Sequence, residues 1–327
     1  MQLYAFKSKT PLGIGREHGE EFRDSIRELA EARVELLCKE PQFGTKSDIF
    51  ELALAHLPIL KSYDKPLFEE LMGISEGSGI SEAEAVIVNH YTDMRDITGC
   101  TAVYVPTENG PLLGQTWDID ISALKHARLF QIGDTYVFTS VGCLGVAGFN
   151  TQGLGLCINN LNSTDARVGL LWPALIRRIL RESSAQTSRD LILDAPIGGG
   201  RHFAVADLTN LYAIEASSTR QKVICDNPDN TYWHTNHCLD SEIGEVCKIR
   251  QGSSTFERYE QAEKHIKSNP PKNLNDLWGL LAEVSLDPAK VEGRIVTCGA
   301  LAMNLKTQEW RACQGPVKLS SRARVPY

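Results

Sequence analysis

The sequence predicts an α+β fold in which helices flank layered sheets, and two observations carry that reading. Over roughly the first hundred residues, apolar side chains recur at three- and four-residue spacing. After Gly99 the period drops to two, in short runs bounded by Gly, Asn and Asp, with only a few helical patterns between them. Blocks of strands with helices inserted between them pack as sheets covered by helices.

The elements follow in chain order. From Arg16 to Glu40 the residues Phe22, Ile26, Leu29, Ala30, Val34 and Leu37 predict one amphipathic helix, and Asp48 to Leu60 repeats the pattern. Ser81-Glu82-Ala83-Glu84 reads as a capping box opening a helix through Val86, Ile87 and Val88. Strands are expected at 101–105, 112–117, 128–132, 135–141, 145–149, 153–159, 203–207, 211–216, 222–225, 295–304 and 308–313. Trp172 to Ser183 is a helix with Pro173 in its first turn, and two more are expected near 255–268 and 275–285. No internal repeat or low-complexity linker divides the chain.

Composition bounds the function. A net charge of −7 over 327 residues argues against a nucleic-acid partner, which needs clustered cations, and makes a neutral or cationic small molecule the easier ligand. The nine cysteines are scattered with no Cys-x-x-Cys pair, and no apolar run is long enough to span a membrane. The start, MQLYAFKSKTPLG, has no apolar signal core, and the Ser-Arg-Ala-Arg-Val-Pro-Tyr end is not a Ser-Lys-Leu address. A reducing cytoplasm and no membrane are expected.

The chemistry centres on Thr98-Gly99-Cys100-Thr101, where the helical half meets the β half. A glycine before the cysteine frees the backbone for strained angles. A thiol attacking the carbonyl in front of it turns the Gly99–Cys100 amide into a thioester, and hydrolysis leaves Cys100 as a new N-terminus. A terminal cysteine carries its own nucleophile and, in an α-amine of ordinary pKa about 7.7–8.0, its own base.

These residues resemble the isopenicillin N acyltransferase family of cysteine N-terminal-nucleophile amidohydrolases. The resemblance runs through Gly13-Ile14-Gly15-Arg16-Glu17-His18-Gly19, TGCTAVYV at 98–105, GQTWD at 114–118, GFNTQGLG at 148–155, HTNHC at 234–238 and Arg294. It implies a four-layer αββα sandwich behind a helical N-terminal segment, autocatalytic cleavage between Gly99 and Cys100, and two pieces, 1–99 and 100–327. The smaller piece is then released or kept as a subunit of a heterodimer, with a higher oligomer open.

Residue by residue, the resemblance makes Cys100 the nucleophile, Asp118 the carboxylate on its α-amine, and Asn236 the oxyanion donor. Asn159 helps hold the nucleophile region, with Asn160 the alternative one register step away, and Arg294 sits beside the thiol and pairs with Asp118. A glycine, Gly293, stands where the fungal acyltransferase has a serine before that arginine. No cofactor or metal is implied. His234, His237 and Cys238 do cluster, but a zinc site needs a further ligand group and only Cys247 lies near in sequence. The expected activity is cleavage or transfer of the acyl group of a small N-acyl amine or peptide-like amide. The alternatives are an acyl-CoA-dependent amide synthesis, or a non-catalytic ligand-binding protein with Cys100 uncut. Gly198-Gly199-Gly200 is a flexible loop without the Gly-Lys-Ser/Thr of a phosphate cradle.

Overall fold

The computed structural model describes residues 1–94, 98–289, 291 and 293–318; the C-terminal Ser-Arg-Ala-Arg-Val-Pro-Tyr lies outside them. The N-terminal layer begins with β1 (Leu3–Ala5) and continues through α1 (Pro11–Glu21), α2 (Arg23–Leu37), α3 (Lys46–Leu54), α4 (Leu57–Tyr63), α5 (Lys65–Ser78) and α6 (Glu82–Met94). The expected single helix over 16–40 is broken at Phe22, whose ring turns into an aromatic cluster with Tyr4 and Phe130. The second expected helix breaks as well, because Pro58 cannot continue a helix and instead opens α4. The capping box at Ser81 forms as expected: Ser81 N–H donates to Glu84 Oε2 at 2.8 Å, and Glu84 N–H returns to Ser81 Oγ at 3.3 Å.

Gly15 and Gly19 do their work in helix packing. A Cβ on Gly15 would stand 2.0 Å from the Glu70 carbonyl oxygen, and one on Gly19 would stand 2.5 Å from Ser78 N. Gly73 and Gly77 meet the α1 backbone in the same way, at 2.3 Å from Leu12 O and 2.3 Å from Arg16 O. α1 and α5 therefore cross backbone to backbone, which only glycine allows. His18, on the same face of α1, accepts the Gly142 N–H at 2.9 Å, and burial lowers its pKa to about 3, so the ring stays neutral.

The β half forms two sheets. Eight strands lie in the order β1, β4 (Ala127–Ile132), β5 (Thr135–Ser140), β6 (Ala147–Asn150), β7 (Gly155–Asn160), β8 (Arg201–Ala206), β9 (Leu211–Ala216) and β10 (Gln221–Cys225). Five lie in the order β11 (Tyr232–His234), β2 (Thr98–Val105), β3 (Leu112–Asp120), β12 (Ile295–Asn304) and β13 (Trp310–Gln314). β2 and β3 face β7 across the gap between the sheets. α10 (Thr255–Ser268) and α11 (Leu274–Glu283) cover the other face of the five-stranded sheet, where Trp278, Leu277 and Leu281 join Val103, Leu112 and Ala302 in one apolar cluster. α7 (Trp172–Ile179) and α8 (Ala185–Asp194) lie with the N-terminal helices beyond the eight-stranded sheet, and the short α9 (Ser241–Gly244) follows β11.

This is the expected four-layer αββα sandwich. Both β3 and β7 are buried along their full length, as strands between two layers must be. β1 and β11 were not expected, since three residues are too few to display a period of two. α8 was also not expected; Ser184 caps it and separates it from α7.

Candidate active site

Cys100 sits near the start of β2, paired with Trp117 of β3, while Gly99 pairs with Asp118. On the other side of β3, Asp118 pairs with Thr297 of β12, just before a register shift at Cys298. The Asp118 carboxylate thus lies between a glycine and a threonine. Thr297 donates its hydroxyl to Oδ1 at 2.6 Å, and a Cβ on Gly99 would come within 3.1 Å of Oδ2. Gly99 is in extended strand and is absent from the positive-φ glycines, so its role differs from the strain expected of it. It leaves room for a carboxylate and a guanidinium against the backbone.

Strand β11 ends at His234, opposite Ala102. Continuing its register would set residue 236 against residue 100, and there the side chain of Asn236 takes over from the main-chain ladder. Asn236 Oδ1 accepts the Cys100 N–H at 2.8 Å, and its Nδ2 donates to the Asn160 carbonyl at 3.0 Å. The Asn236 amide thus ties the backbone of Cys100 to that of Asn160 through both its ends.

The guanidinium at the cysteine belongs to Arg258, on the first turn of α10. Its Nη1 donates to the Cys100 carbonyl at 2.5 Å and to Thr101 Oγ1 at 2.9 Å, its Nη2 donates to Asn236 Oδ1 at 2.7 Å, and Nη1 lies 3.9 Å from Asp118 Oδ2. Nε closes the set on Ser254 Oγ at 3.0 Å. Arg294, the arginine expected here, instead makes a two-pronged pair with Asp120, at 2.8 Å from each oxygen, and is 63% exposed. The strand geometry explains the difference: Asp118 and Asp120 lie two residues apart on β3, and Arg294 enters at the Asp120 end.

Sequence reasoning missed Arg258, yet a signal existed. A cation in the first turn of a helix opposes the helix dipole and stays only where a specific partner holds it. Asn159 is fully buried and spends its amide on other partners than the thiol, with Nδ2 donating to the His234 carbonyl at 3.2 Å and Oδ1 2.7 Å from His202 Nδ1. Asn160 serves the site through its backbone: its carbonyl holds Asn236 and its N–H faces the Cys100 sulfur. Its side chain turns the other way, to Arg201.

Burial dominates the electrostatics. It pushes the Cys100 thiol up to about 12, the Asp118 charge adds to the effect, and Arg258 together with the Asp118 and Asn160 N–H groups opposes it. The Asp118 carboxyl is raised too, first by burial, against the pull of Arg258 and the hydroxyls of Thr297 and Thr116. The HTNHC residues turn to separate partners: His234 Nε2 to Glu215 at 2.8 Å, His237 Nδ1 to the Thr235 and Thr255 hydroxyls at 3.1 Å, and Cys238 to the Cys247 thiol. They do not converge on a point where a metal would sit.

Sheets facing each other between helical layers, with a cysteine on the inner strand, define the N-terminal-nucleophile hydrolase fold. A conjugated bile acid hydrolase from Clostridium perfringens, solved as a mutant, superposes with a TM-score of 0.50 at 12% identity over 69% of this chain and 92% of that one. The chain belongs to the acyl-coenzyme A:6-aminopenicillanic acid acyl-transferase family, whose model matches residues 105–302. It is similar to the 40 kDa form of that acyltransferase from Emericella nidulans, 26% identical over 244 residues, 70% of this chain and 68% of the fungal one. A Caenorhabditis elegans N-acylethanolamine-hydrolyzing acid amidase ortholog aligns at a TM-score of 0.46 and 14% identity, over 63% of this chain and 93% of that one.

Proposed function

We propose that the protein is a self-processing cysteine amidohydrolase or acyltransferase acting on the C–N bond of a small amide through Cys100. The observation that carries this reading is the grip on Cys100. Its N–H is held by Asn236 and its carbonyl by Arg258, while Asp118 lies against the glycine in front of it. A core strand residue takes such bonds from a neighbouring main chain, whereas here a side-chain amide and a guanidinium supply them.

In the first reaction the Cys100 sulfur adds to the Gly99 carbonyl carbon. The C–N bond breaks, the thiol proton ends on the Cys100 nitrogen, and a thioester remains. Water then attacks that ester, releasing the Gly99 carboxylate and restoring the thiol. The buried Asp118 Oδ2, which has no hydrogen-bond partner among the described residues, would hold the new ammonium. In turnover the free amine takes the thiol proton and the sulfur attacks an external amide. The donors on hand for the developing oxyanion are the Arg258 guanidinium and Asn236 Nδ2, which would turn to it from the Asn160 carbonyl. Water completes hydrolysis; an amine in its place completes acyl transfer.

A denaturing gel with N-terminal sequencing tests the first reaction. A 99-residue piece and a larger one starting at Cys100, the 228 residues left of 327, are expected. A single full-length band unchanged on standing overturns the reading. Release of amine from a panel of N-acyl amines, penicillins and dipeptides tests the second.

A further inference from the structure

Asn236 stands in a loop and not in a strand, so something other than a β ladder must hold it at the cysteine. β11 ends at His234 and α9 begins only at Ser241, and the residues between them belong to no helix or strand.

One side chain brackets this loop. Glu215 of β9 is fully buried. Its Oε1 lies 2.8 Å from His234 Nε2 and accepts the Leu239 N–H at 2.6 Å, while its Oε2 accepts the Asp240 N–H at 3.1 Å. A single carboxylate therefore fixes the chain just before Asn236 and again just after it. Among the described residues, every side-chain hydrogen bond of Glu215 goes to this loop. Burying a carboxylate is costly unless several donors meet it, and here the loop supplies all of them.

A relay of side chains holds the same loop by a carbonyl. Tyr232 donates its hydroxyl to His202 Nε2 at 3.0 Å, His202 Nδ1 donates to Asn159 Oδ1 at 2.7 Å, and Asn159 Nδ2 donates to the His234 carbonyl at 3.2 Å. Each donor meets an acceptor because His202 stays neutral, its pKa held well below the ordinary value by burial and by the His234 ring stacked 3.7 Å away. Thr255 completes the cradle, accepting the Asn236 N–H on its hydroxyl at 2.8 Å.

We propose that Glu215 is a positioning residue, which clamps residues 234–240 so that the Asn236 amide can span the backbones of Cys100 and Asn160. The proposal rests on the Cys100 reading above, because Glu215 acts on that chemistry only through Asn236. Glu215→Gln keeps the shape of the side chain and removes its charge. The amide offers one acceptor oxygen and an NH2 group, so it cannot accept from Leu239 and Asp240 as the two carboxylate oxygens do.

The test follows the self-cut of the full chain on denaturing gels over time, which needs no external substrate. Glu215→Gln is expected to slow the cut by about tenfold or more, and Asn236→Ala to slow it as well. The double variant is expected to cut within about twofold of Asn236→Ala alone, because both changes break one link. Losses that multiply would mark a general effect on folding and overturn the proposal, as would a Glu215→Gln chain that cuts at the unaltered rate. Glu215→Asp, which keeps the charge but draws back from the Leu239 and Asp240 amides, gives the same comparison where Glu215→Gln does not fold. An unaltered chain that stays whole overturns the Cys100 reading instead. Hydrogen exchange in the Cys100→Ala chain judges the clamp without any cut. Adding Glu215→Gln is expected to speed exchange at the Leu239 and Asp240 amides by about tenfold or more and to leave the β3 amides unchanged. Faster exchange spread over the whole chain, or none at those two amides, overturns the clamp.

Discussion

At the scale of single residues, the site is a set of backbone grips on one cysteine. Cys100→Ala is expected to abolish both the cut and turnover, while Cys100→Ser cuts slowly because a hydroxyl performs the same shift less readily. Band pattern and released amine measure the two. Arg258→Gln leaves the Cys100 carbonyl without its cationic donor, and at least a hundredfold loss in kcat/KM is expected. Arg294→Gln is expected to act through KM instead, since Arg294 is tied to Asp120 and lines only the pocket beside Gly99. Equal losses in kcat from the two arginine variants would contradict the assignment drawn from their distances. Cys100, Asp118 and Asn236 could be singled out because each sits in a distinctive string, and the fold brings the three together. Arg258 was not singled out, because its one signal, a cation in the first turn of a helix, does not say that it folds back over 158 positions onto the cysteine.

At the scale of elements, the α1–α5 crossing is the most exacting contact. Gly15→Val drives a branched side chain into the Glu70 carbonyl, and a loss of about 3 kcal/mol is expected, read from denaturant midpoints. Gly133→Val makes a useful contrast. It has positive φ but open space around its Cβ position, so any loss there is backbone strain alone. The glycine run at 13–19 therefore matters for packing against α5. The strand pattern was legible wherever a strand exceeded four residues. The breaks at Phe22 and Pro58 were not read, because an apolar stripe persists across a bend when both helices face the same core.

At the scale of the whole molecule, the first 94 residues are a layer of the sandwich. β1 pairs with β4, and Arg177 of α7 holds Glu70 of α5 in a buried two-pronged pair at 2.7 and 3.0 Å. The cut chain is therefore expected to elute from gel filtration at its uncut mass and to separate only in denaturant. Elution of a free small fragment would show that the layer is shed. Acid should loosen the same assembly. Burial lowers His18 to about 3 and holds His90 and His202 well below their ordinary value, and it lowers His126 and His237 to about 4. In each case the unfolded ring binds a proton first, so the stability present above about pH 6.5 drains as pH falls, by up to about 1.4 kcal/mol per unit for each ring. Asp93 and Asp118, both raised, act in the opposite sense between their folded values and about 3.8, but with His56 also lowered by burial they are two against six. The melting temperature is expected to fall between pH 7 and pH 5, and a flat profile would contradict this.

The sequence by itself determined the succession of a helical part and a β part and singled out the glycine–cysteine step at their junction, because periodicity and short motifs are local properties of the chain. It could not choose between Arg258 and Arg294, between the side chain and the backbone of Asn160, or between strain and space at Gly99. Those were decided only when β2, β3, β11 and α10 converged, since a guanidinium's partner is set by distance in the fold and not by separation along the chain.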